Sequence, residues 1–243
     1  MTRTPLILLP GLLLDERLYD AQIAALALRA EPKVVDLTGA DSMAGMAEAA
    51  LAAAPERFAL CGLSMGGYVA FEIMRRAPQR VLKLALLDTQ ARPEDAAART
   101  RRLDLMARAG RGEFEGAVDQ LLRLFIHPDR LADRDLVATL KAMAGKVGRA
   151  GFLRQQTAIL NRADSRPTLA AISCPTLVLT GRQDVLTPVA LHEEMAAAIP
   201  AATLVVLPQC GALHEEMAAA IPAATLVVLP QCGISARWSS PPW

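Results

Sequence analysis

At 243 residues, with 53% hydrophobic and 21% charged positions and a formal net charge of +1, the chain has apolar material for one domain with a full core. It lacks the charge excess that would recruit nucleic acid or an anionic membrane surface, and no apolar run approaches the ~18 residues of a membrane span. Four cysteines without a CxxC pair argue against a disulfide framework or a zinc site, so a reducing cytoplasm is the default compartment.

The opening MTRTPLILLPGLLLDERL sets a basic residue before apolar ones, as a signal peptide does. The run is short, is broken by Pro10-Gly11 and lacks a small-residue cleavage site, so Pro5–Leu9 reads as a buried strand. Apolar spacing then predicts a helix over Asp15–Leu28, a strand over Lys33–Leu37 and a helix near Ser42–Ala54. Arg57–Leu63 reads as a strand running directly into a helix over Met65–Arg76, and Val81–Asp88 as a fourth strand. From Ala91 to Ala170 the composition turns to Arg, Ala, Leu, Asp and Gly and reads as three or four helices with no strand. Strands return at Pro175–Thr180 and Thr203–Leu207, with a helix over Ala190–Ile199 between them. Continuously apolar strands alternating with helices imply an α/β fold, a mostly parallel sheet with helices on both faces. The expected organisation is a core of residues 1–90 and 171–211, an inserted helical cap over 91–170, and an aberrant segment over 212–243.

Chemistry concentrates at Gly62-Leu63-Ser64-Met65-Gly66, a G-x-S-x-G between strand and helix. A serine on a sharp strand-to-helix turn projects its hydroxyl above the sheet, and small flanking residues let the backbone pass. The helix N-terminus adds positive potential where an oxyanion would form. Here the chain resembles the α/β-hydrolase family, from Pro5 to about Gly211. The stretch CGLSMGGYVAFEIMRRAPQRVLKLALLDT is similar to that family's nucleophile elbow, helix and following strand. Leu9-Pro10-Gly11-Leu12 is similar to its oxyanion loop, with Pro10 where many members have His, and TGRQDVLTP to its acid loop. The resemblance implies Ser64 as nucleophile, Asp184 as the orienting acid, the backbone N–H groups of Leu12 and Met65 as oxyanion donors, and a histidine after the last strand as base. Asp88, at the end of the preceding strand, is a weaker rival for the acid.

That histidine is out of place. A 22-residue unit, residues 190–211, recurs letter for letter at 212–233, and the position where the family carries its base holds Ala212. After the second copy the equivalent residue is Ile234. Of the three histidines, His127 reads as structural or solvated, His192 as a surface residue opening a helix, and His214 as a copy of His192 two residues past the expected site. His214 could serve Ser64 only if the turn at 211–213 rearranges. The closing ISARWSSPPW, written in the GC-rich codons that four lysines against 22 arginines suggest, reads HLSALEQPPV in the frame displaced by one base. That peptide resembles the family's continuation through its histidine, so a one-base loss in the Gly233 codon is the expectation. The implied function is hydrolysis of a small carboxylic ester or lactone through an acyl-enzyme, with no cofactor and no metal. The alternatives are C–C hydrolysis or a pyruvate-eliminating lyase on the same fold, or a catalytically dead homologue.

Overall fold

A computed structural model of the chain describes residues 3–207. Six strands form one parallel sheet: β1 (Thr4–Leu9), β2 (Ala30–Val34), β3 (Phe58–Leu63), β4 (Val81–Leu87), β5 (Thr176–Gly181) and β6 (Ala202–Leu207), in the order β2-β1-β3-β4-β5-β6. All six residues of β3 are buried, as are all six of β5, which is the burial that helices on both faces impose on a central parallel strand. Between the first four strands lie α1 (Asp20–Leu26), α2 (Met43–Ala53) and α3 (Met65–Arg76). Between β4 and β5 come α4 (Ala96–Gly110), α5 (Phe114–Phe125), α6 (Arg134–Leu160) and the single turn α7 (Arg166–Leu169); α8 (Val189–Ala198) then precedes β6. Residues 91–170 hold no strand, and α6 is kinked at Gly148, where φ is 68°.

Two predicted elements are displaced for identifiable reasons. The second strand starts three residues early and pairs from Thr4↔Ala30 to Leu8↔Val34. It contains Pro32, which lacks an N–H for the ladder but is tolerated because β2 is an edge strand among the described residues. Asp36 ends it by accepting the Thr38 N–H at 2.8 Å. The helix expected over Asp15–Leu28 is instead a 3₁₀ turn, Glu16–Tyr19, capped by the Asp15 side chain and followed by the shorter α1. Tyr19 causes the break: its ring is buried and its hydroxyl donates to the Leu9 carbonyl at 2.8 Å. Leu28, at 93% exposure, lies beyond the helix.

The first copy of the repeat supplies α8 and β6. It pairs with β5 from Thr176↔Ala202 to Gly181↔Leu207, so the first copy supplies the last described helix and strand. Ala212, His214, Ile234 and the closing tail lie outside the described residues.

Candidate active site

The carboxyl ends of β1, β3, β4 and β5 adjoin, with Leu9 beside Gly62, Leu63 beside Leu87 and Leu87 beside Leu179. Ligands bind in crevices at this edge of parallel α/β sheets. Ser64 leaves β3 with φ 51° and ψ −112°, a left-handed conformation that non-glycine residues rarely adopt and that persists only where the surroundings enforce it. Its N–H donates to the Leu87 carbonyl at 2.9 Å, and its carbonyl accepts from the Gly67 N–H and the Thr89 hydroxyl, each at 2.9 Å. Those three bonds fix the turn. They also explain the glycines: a Cβ on Gly62 would sit on the Gly66 carbonyl, and one on Gly66 on the Leu9 carbonyl.

Two backbone donors flank the serine. Met65 begins α3 and is fully buried, so its N–H stands at the positive end of a 12-residue helix. Leu12 lies on the loop after β1. The next residue, Leu13, has φ 64°, and its N–H is held at 3.0 Å by Oε1 of the buried Gln155 of α6. Among the described residues no acceptor takes the N–H of Leu12 or of Met65. A cleft with about 20 Å³ of room for the centre of a water-sized group brings together Leu12, Ser64, Asp88, Phe125, Asp184 and Leu186. Its neighbour Leu14 also lines a second cavity of about 170 Å³.

Asp184 is 4% exposed. Its Oδ1 accepts the N–H groups of Leu186 at 2.7 Å and Thr187 at 3.0 Å, and its Oδ2 accepts the Thr187 hydroxyl. These bonds lock the loop after β5 and stabilise the carboxylate's charge. Asp88 follows β4 at 1% exposure with φ 38°; its Oδ1 accepts the Gly181 N–H at 3.0 Å and its Oδ2 has no partner. Burial first, and then the charge of Asp184, push the Asp88 carboxyl well above the ordinary carboxylate range.

The structure corrects the reading of His192 as a surface residue: it is fully buried. Its Nε2 accepts the Thr89 N–H at 3.1 Å, so the proton sits on Nδ1, 3.4 Å from the Pro188 carbonyl. Burial lowers its pKa and keeps the ring neutral. The signal was present in LHEEMAAAI, where His192 precedes the buried Met195 by three and the buried Ile199 by seven, a single core-facing stripe. His127 does not line the cleft; its Nδ1 caps a 3₁₀ turn by accepting the Asp129 N–H at 3.3 Å. Sequence reasoning also missed Gln155 and Thr89, which carry no motif and act through the backbone groups they bind. Ser64, Asp184, Leu12 and Met65 thus meet at one sheet edge, and His214 falls outside the described residues.

A parallel sheet with a strained serine between strand and helix, beside a buried carboxylate, defines the class of nucleophile-elbow α/β enzymes. The sequence profile of the Alpha/beta hydrolase family matches residues 6–233, and the chain belongs to that family. It is 28% identical over 225 residues to a pimeloyl-(acyl-carrier protein) methyl ester esterase of Nitrosomonas europaea, covering 85% of this chain and 87% of that protein. A protein of the same description from Pectobacterium carotovorum is 32% identical over 199 residues, covering 76% and 78%. Among solved structures, a thermophilic esterase from Thermogutta terrifontis superposes with a TM-score of 0.78 at 27% identity, covering 93% of this chain and 85% of that one. The scaffold is that of a carboxylic ester hydrolase. Among the described residues no helix is long and apolar enough to cross a membrane.

Proposed function

We propose that the chain hydrolyses a small carboxylic ester through an acyl-enzyme, with Ser64 as nucleophile, Asp184 as the orienting acid and the N–H groups of Leu12 and Met65 as oxyanion donors. The observation that carries this reading is the pair of unpartnered N–H groups flanking a strained serine at a cleft. Such donors, preorganised where negative charge develops, are the largest common source of acyl-transfer catalysis. The helices over 91–170 act as a lid, a role supported by Phe125 of α5 entering the cleft lining. The narrowness of the cleft favours a short acyl or alkyl group, and the methyl ester esterases among the relatives make a methyl ester the first substrate to try. The free thiols Cys61 and Cys174 suit a reducing, cytoplasmic setting.

A specific observation favours a second reading, a scaffold without turnover. No histidine lines the cleft among the described residues, and the family's base position holds Ala212. Triad members act as a unit, and losing one costs on the order of 10⁴–10⁶ in rate. Labelling with a fluorophosphonate, which reports an activated serine without a turnover assay, separates the two readings. Labelling that Ser64→Ala abolishes identifies the nucleophile, and its further loss in His214→Ala identifies the base. If the chain labels no faster than Ser64→Ala but Ala212→His labels strongly, the scaffold is intact and the base is missing. If Ala212→His also fails to label, the ester-hydrolase assignment to this site is wrong.

A further inference from the structure

Two carboxyl groups line the cleft beside Ser64, and no cation lies within ion-pair distance of either among the described residues. Their surroundings differ. Asp184 accepts two backbone N–H groups and a hydroxyl, so both of its oxygens have donors. Asp88 accepts one backbone N–H on Oδ1, and its Oδ2 is buried without a partner. An unpaired buried charge costs several kcal/mol, and a second like charge in the same cleft adds to that. The main chain holds Asp88 there regardless. Gly181 at the end of β5 binds its side chain, and the next residue, Thr89, is tied both to the Ser64 carbonyl and to His192.

From this geometry we infer that Asp88 is a neutral carboxylic acid carrying its proton on Oδ2, and that it is a positioning residue which leaves Asp184 as the one negative charge of the site. The inference rests on Asp184 being the acid of the proposed mechanism. Asp88 is not the base: a protonated carboxyl accepts no proton from Ser64. Its part is to brace the serine turn against the acid loop without adding a second anion. The groups beside it are Asp184 from the loop after β5, the Thr180 hydroxyl of β5 and Ser64 of the elbow, which lines the same cleft. Of these only Asp184 carries charge, and burial and that charge act on the Asp88 carboxyl in the same direction. Pairs of carboxyls pushed to opposite protonation states in one cleft are how active sites divide roles between identical groups.

Infrared spectroscopy of the 243-residue chain in heavy water tests this without any need for turnover. At neutral pH the wild-type chain shows the C=O stretch of a buried carboxylic acid, and Asp88→Asn lacks it. Raising the pH removes the band in the wild type. In Asp184→Asn the band disappears at lower pH, because the neighbouring charge that opposes ionisation is gone. That second variant keeps Asp88 in place, so the coupling can be read even if Asp88→Asn folds poorly. Absence of the band at neutral pH, its persistence in Asp88→Asn, or an unchanged titration in Asp184→Asn each overturns the inference. A chain that shows the band but labels neither as it stands nor as Ala212→His refutes the ester-hydrolase assignment and leaves the protonation of Asp88 standing.

Discussion

At the scale of single residues, the site is governed by what burial does to groups that water would otherwise serve. His192 is a core residue whose one acceptor nitrogen satisfies the Thr89 N–H, a donor that would cost about 1–3 kcal/mol if left unpaired. Because burial holds its pKa below the usual 6.5, the folded chain binds fewer protons at His192 than the unfolded chain does. Its contribution to stability is therefore complete above about pH 6.5 and is lost as the pH falls through the depressed value. Asp88, whose pKa is raised, works in the opposite sense and costs stability as the pH rises above the unfolded value of 3.8. Urea denaturation at pH 7.5 and pH 5.5 separates the two. His192→Gln, whose amide oxygen can still accept from Thr89, is expected to remove the acid-side loss that His192 causes and to leave the acid-side gain that Asp88 causes. A decline unchanged in His192→Gln would show that His192 is not the titrating group.

At the scale of elements, the active edge depends on one helix reaching across to one loop. Gln155 of α6 holds the Leu13 N–H at 3.0 Å and so keeps Leu13 in its left-handed turn, next to Leu12 in the cleft lining. Gln155→Leu strips that acceptor from a buried donor and is expected to cost about 1–3 kcal/mol. It should also slow fluorophosphonate labelling more than Gln155→Glu does, since glutamate retains an acceptor oxygen. Equal labelling rates for the two variants would show that α6 does not set the oxyanion loop. This dependence explains what the sequence could and could not disclose. Strand–turn–helix order, the elbow and the turn that carries Asp184 were legible because each is local: an apolar run, a pair of glycines and a turn aspartate lie within a few residues of one another. The bond from Gln155 to Leu13 spans 142 positions, and nothing about a glutamine in a helix announces such a partner. The misplaced second strand and the divided first helix have a similar origin. Pro32 is tolerable only at an edge, and Tyr19 breaks its helix only because its hydroxyl finds Leu9.

At the scale of the molecule, the repeat and the helical segment between β4 and β5 pose one question each. The first copy fills the positions of α8 and β6, and the consequence that bears on the proposed function is that Ala212 stands where the family resemblance expects the base. The helical segment between β4 and β5, by contrast, is built around a buried ion pair that also touches α3. Arg162 follows α6, and its guanidinium lies 4.4 Å from the centre of the Tyr68 ring on α3. The same group pairs with Glu94 and donates to the Arg92 carbonyl at 3.1 Å. Glu94 also accepts from Arg102 of α4 at 3.0 Å, and Arg102 holds Gln156 of α6 at 2.8 Å. The Arg162 and Glu94 side chains are 4% and 5% exposed, so neither can turn to solvent if its partner is removed. Breaking such a pair from one side costs about 3–5 kcal/mol, whereas replacing both charges with apolar groups of similar size is often close to neutral. Arg162→Met is therefore expected to lower unfolding free energy by about 3 kcal/mol. Glu94→Leu should do the same, since it strands Arg162, and the double variant should lose clearly less than the sum of the two. Additive losses in urea melts would mean that each residue stabilises this segment through separate contacts, Arg162 through Tyr68 and Glu94 through Arg102, rather than as one buried clamp.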